Sequence, residues 1–106
     1  MHYLSVQIVR QVDKRQPELV ACEFMDAEGR CHTFEDRVPL FSDETAASVM
    51  AFPRPGIVRC EELQRWRDAK GRELVRVNTG KPDGMVTAEG LCEFTVPAKL
   101  VSSASD

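Results

Sequence analysis

Four cysteines, two histidines and one tryptophan are the residues of this chain whose chemistry could go beyond packing. Cys22, Cys31, Cys60 and Cys92 are spaced so that no two form a Cys-x-x-Cys pair. A tetrahedral zinc site ordinarily draws two sulfurs from one turn, so this spacing argues against a metal centre, and no metal or cofactor is assigned. Cys22, Cys60 and Cys92 each precede a glutamate and fall where strand alternation points inward, which predicts thiols packed as small hydrophobes. Cys31 and His32 are adjacent and invite a nucleophile–base reading. Neighbours on a strand point to opposite faces, so the two side chains do not meet; Cys31 is expected in solvent and His32 packed near a hairpin tip.

Three further motifs carry binding chemistry at most. Gly80-Lys81-Pro82-Asp83-Gly84 holds the residue types of a phosphate loop in the wrong order, with proline after the lysine and no helix to follow. Arg65-Trp66-Arg67 pairs cations with an aromatic, as single-strand nucleic-acid barrels do, but alternation places Trp66 opposite the two arginines. The stretch from Arg54 to Lys81 has eight basic residues against four acidic ones, a local +4, while the rest of the chain carries −7. A basic face built from Arg54, Arg65, Arg67, Arg72, Arg76 and Lys81 is therefore the expected contact for an acidic macromolecule. No Gly-x-Ser-x-Gly elbow occurs, and no carboxylate pair stands in an apolar loop context, so the chain is not read as an enzyme.

The elements that must position these residues are strands. Asp26-Ala27-Glu28-Gly29-Arg30 and Asp68-Ala69-Lys70-Gly71-Arg72 are nearly the same turn, each read as a hairpin tip with glycine in the left-handed position. In the first hairpin that register opposes Phe24 to His32 and Cys22 to Phe34. It gathers Val20, Cys22, Phe24, His32, Phe34 and Val38 on one face, whereas a one-residue slip would mix the faces. The same register in the second hairpin pairs Trp66 with Leu74 and puts Leu63, Val75 and Val77 on one face but Val58, Cys60 and Trp66 on the other. An irregularity between Glu61 and Arg65 is therefore expected. Tyr3 to Val12 alternates as a half-buried strand, and Leu91 to Val96 forms the last. Ser42 to Met50 reads as a short capped helix joining the hairpins, Asn78 to Gly90 as a long loop, and 102–106 as a frayed tail.

The 106 residues then form a single all-β domain over 1–101: a small curved antiparallel sheet or partly open barrel of about six strands with one short helix, an open sandwich being the alternative. At 42% hydrophobic and 29% charged the composition is that of a globular domain. No apolar stretch reaches membrane-spanning length and the start lacks a signal-peptide pattern, so the expected compartment is the cytoplasm, with reduced cysteines. The function expected is a protein-interaction module, its partner another protein or a second copy of itself. A single-stranded nucleic-acid binder is the alternative, and a small-molecule-binding barrel the second.

Overall fold

The computed structural model describes residues 1–15, 18–37 and 52–103. They form β1 (His2–Asp13), β2 (Leu19–Met25), β3 (Cys31–Arg37), β4 (Arg54–Arg67), β5 (Glu73–Asn78), β6 (Glu93–Pro97) and β7 (Val101–Ser103), with a 3-10 turn at Ala98–Leu100. The strand order is β3-β2-β1-β4-β5-β6, every pairing is antiparallel, and β7 returns to pair with β1. The sheet curls into a half-barrel. The expected helix at Ser42–Met50 and the inward position of Val38 lie outside the described residues.

Alternation builds the core. Leu4, Val6 and Ile8 of β1 are buried while Ser5 and Gln7 are exposed. Val20, Cys22, Phe24 and Phe34 of the first hairpin close over them, and Val58, Cys60, Val75, Val77, Met85, Phe94 and Val96 complete the cluster. The register of the first hairpin is the glycine-bulge one, with Cys22 opposite Phe34 and Phe24 opposite His32.

The curl comes from β4. Its first half, through Cys60, pairs with β1, and its second half, from Glu61, pairs with β5. The register shifts between Glu62 and Gln64, which is the irregularity the sequence demands. The extra residue of a bulge is left out of the ladder and sharpens the twist. That residue is Leu63, and it stands 43% exposed instead of joining Val75 and Val77 in the core.

Two further findings concern the C-terminal third. Ser102 and Ser103, expected in a frayed tail, pair with Tyr3 and His2, making a seventh strand; 104–106 lie outside the described residues. Pairing with the free edge of β1 satisfies main-chain groups of Val101–Ser103 that a tail would leave to water. The segment between β5 and β6 is a long loop, as expected, and it is pinned. Thr79 donates its hydroxyl to the Met85 carbonyl at 2.8 Å, the Met85 amide returns to the Thr79 carbonyl at 3.0 Å, and Met85 is buried in the core cluster.

Candidate functional site

The two matched turns fold alike in detail. In each, the Asp amide donates to the Arg carbonyl, Asp26 to Arg30 at 2.8 Å and Asp68 to Arg72 at 2.9 Å. Oδ1 of Asp26 accepts the amides of Glu28 and Arg30, and Oδ1 of Asp68 accepts those of Lys70 and Arg72. Gly29 and Gly71 take φ of +83° and +81°, the left-handed region that a Cβ disfavours. The second carboxylate oxygen then distinguishes the turns: Asp68 Oδ2 accepts from Arg72 Nε at 2.9 Å, and Asp26 Oδ2 lies 2.7 Å from His32 Nε2.

Asp26 is held ionised. Burial works to raise its pKa, but the hydrogen bond with His32 and the amides of Arg30 and Glu28 outweigh that and bring it below the ordinary carboxylate value. An ionised carboxylate only accepts, so His32 Nε2 carries the hydrogen. The imidazole is wedged between Phe24 and Phe94, with ring centroids 5.3 and 4.7 Å away, so His32 is a packed residue, as expected for its place at the tip. The first tip is tied across the sheet as well. Ala27 donates its amide to the Thr95 carbonyl of β6 at 2.9 Å and accepts a guanidinium hydrogen from Arg72 at 3.0 Å, so the two hairpin tips and β6 meet at one place.

Beside that junction the sheet forks. One edge of β1 is occupied by β4 from His2 to Ile8; the other holds β7 opposite His2–Leu4 and β2 from Gln7 onward. Between Leu4 and Gln7 no described residue pairs with that edge, and a groove of about 330 Å³ opens there. It is lined by the apolar Val6, Phe24, Met25, Pro97 and Leu100 together with Ser5, Gln7, Glu23, Asp26 and Lys99. Met25 is 57% exposed. The sequence offered no sign of this groove, because it joins β1, β2 and the 3-10 turn, which are far apart in the chain and unremarkable one by one.

The six expected basic contact residues do not form one face. Arg54 begins β4 and Arg67 ends it, so they stand at opposite ends of a bent 14-residue strand whose contour is about 40 Å. Arg54 sits half-buried opposite Ile8 with its charge near Cys22. Arg65 and Arg67 share the face of Val75 and Glu73, while Arg76, opposite Gln64, lies on the other face with Trp66. Arg65 binds Glu62 at 2.7 Å, Arg67 binds Glu73 at 3.1 Å, Arg72 binds Asp68 at 2.9 Å, and Arg76 lies 3.6 Å from Glu93. Lys81 stands apart, edging a second hollow of about 380 Å³ with Met1, His2, Cys60, Glu61 and Glu62.

The thiols follow burial. Cys22 is pushed up to about 12 and Cys60 to about 11, in both cases by burial first. Cys31 is exposed at the tip as expected, yet residual burial and then the Glu23 carboxylate beside it raise its thiol too. Among the described residues no group of three His, Cys, Asp or Glu side chains is placed to hold a metal ion. Among the same residues no helix is long and apolar enough to cross a membrane. Comparison with models of known protein families, with curated proteins and with solved structures found no match to this chain.

Proposed function

We propose that the chain is a non-enzymatic protein-binding module of the cytosol, and that it receives an extended segment of its partner in the groove at the fork. The observation that carries this reading is the coincidence of an unpaired stretch of β1 edge with an apolar floor. Main-chain groups on such an edge give an extended peptide its hydrogen bonds, and pockets beside it take alternate side chains. The exposed Met25 in the lining adds a flexible apolar surface suited to a partner's anchor residue. Its four cysteines are free, which fits a reducing compartment.

The other classes draw less support. An acidic partner on the basic hairpin would exchange four existing ion pairs, so Arg54, Arg65, Arg67, Arg72, Arg76 and Lys81 belong to this reading as a charged periphery that steers encounter. A single-stranded nucleic acid would need stacking and phosphate contacts on one face, whereas Trp66 lies on the face opposite Arg65 and Arg67. A groove of about 330 Å³ is at the small end for a drug-sized ligand.

Two-dimensional ¹⁵N–¹H spectra recorded during titration with a pool of random heptapeptides with free ends test the assignment. The expected result is shifts confined to Val6, Phe24, Met25 and Leu100 and their neighbours. Self-association would move the same resonances with protein concentration alone. Shifts centred on Arg65–Arg67 with a single-stranded oligonucleotide, fading steeply as salt rises, would replace this reading with the nucleic-acid one.

A further inference from the structure

We infer that the tip of the first hairpin is a latch on the groove: the Ala27 amide holds the Thr95 carbonyl until the main chain of a partner takes its place. This rests on the groove being the binding site. β2 leaves the edge of β1 at Glu23, opposite Gln7, and runs on as an overhang through Phe24, Met25 and the turn. The overhang has a fixed root. There Phe24 and His32 pack against Phe94, with ring centroids 5.1 and 4.7 Å away. Beyond the root, Met25 and Cys31 face each other across the hairpin and both are exposed. Among the described residues no strand pairing joins this hairpin to β6, the last strand of the sheet. The tip is tied to β6 through Ala27, whose amide reaches the Thr95 carbonyl at 2.9 Å. Arg72 Nη1 steadies the same peptide by donating to the Ala27 carbonyl at 3.0 Å.

The latch stands where the two walls of the groove converge. One wall is Phe24, Met25 and Asp26, which lead into Ala27; the other is Pro97, Lys99 and Leu100, which follow Thr95. In the plane of the sheet, a strand laid on Ser5 and Val6 meets β7 at Leu4 and β2 at Gln7. An extended segment must therefore leave that plane between the walls, past the latch. Thr95 is placed to receive it. Among the described residues β6 has no strand beyond its outer edge, and the Thr95 carbonyl accepts the Ala27 amide on β6. A partner's amide on the same oxygen conserves the bond, so the latch is an autoinhibitory contact that the ligand replaces. Two hydrogen bonds at a tip contribute little net free energy, so local opening is within reach of a peptide's binding energy. A ligand that needs the open form gains affinity by the factor by which the open fraction rises.

Two variants loosen the latch from its two sides. Ala27→Pro removes the donor and suits the turn, because Ala27 is the second residue of a turn closed by the Gly29 amide on the Asp26 carbonyl. Arg72→Met removes the second bond and keeps the Ala27 amide as a probe. In the ¹⁵N–¹H titration with the heptapeptide pool, each should reach half of the full shift at Val6 and Leu100 at a concentration about threefold to tenfold below that of the wild type. Without peptide, Arg72→Met should speed hydrogen exchange at Ala27 and leave it unchanged at Asp26, whose amide is bonded to Arg30 within the hairpin. Affinity equal to or weaker than the wild type's in both variants would overturn the latch and leave the groove as the binding site. Equal acceleration at Ala27 and Asp26 would also overturn it, since the hairpin would then be unfolding and not swinging. A pool that moved no groove resonance in the wild type or in either variant would remove the groove reading and the latch with it.

Discussion

Asp26 and Cys22 show how single side chains set the pH range of the fold. The Asp26 carboxyl is depressed in the folded chain, so its contribution to stability is present above the ordinary carboxylate range, near pH 4, and is lost as pH falls through the lower folded value. Asp26→Asn is expected to be less stable than wild type at neutral pH and to lose less on acidification, as read by denaturant melts along a pH series. The buried thiols act at the other limb. Cys22 is raised from 9.0 to about 12, so the unfolded chain ionises first and stability falls as pH climbs between those values, by up to about 4 kcal/mol. Cys22→Val should flatten that alkaline loss. At Cys31 burial raises the thiol most and the Glu23 charge adds to it, so Glu23→Gln should speed alkylation of Cys31 at pH 8, measured by mass spectrometry of the native protein.

The hairpin is the element most legible in this sequence. Asp, three loop residues ending in glycine, then Arg fixed the register, and the register fixed which side chains meet, down to Phe24 against His32. Gly29→Val and Gly71→Val should each cost about 1–3 kcal/mol, since the left-handed φ resists a β-branched residue. Nothing lies within 4 Å of the added Cβ, so the cost is torsional and not a clash. Gly29→Val should cost more than Gly71→Val in thermal or chemical denaturation, because its tip is also tied to the Thr95 carbonyl of β6. What stayed illegible were contacts between elements. Arg65 meeting Glu62 across the bulge and Arg76 meeting Glu93 on β6 depend on where the strands come to lie, whereas counting charge along the chain sees only the sum. Leu63 misled for a related reason. The conflict of faces announced a bulge between Glu61 and Arg65 without saying which residue would be turned out.

At the scale of the molecule, closure is the property that no segment announces. β7 has three residues, too few to register as a strand in any pattern, yet it returns the C-terminal segment to β1. Val101, packed against the core beside Leu100, makes that return worth having. Val101→Asp is expected to destabilise the fold by about 1–3 kcal/mol through the cost of burying a carboxyl there. It should also raise amide exchange at His2–Leu4 more than at β2 and β3; uniform acceleration would mean that closure is not local to this seam. The same pairing places His2 directly across from Ser103. Polypeptide therefore enters and leaves the fold through one doorway. A short bridge between those two residues would let the ring be cut open at another surface turn, and the unit could be spliced into a loop of an unrelated host without prising the host apart.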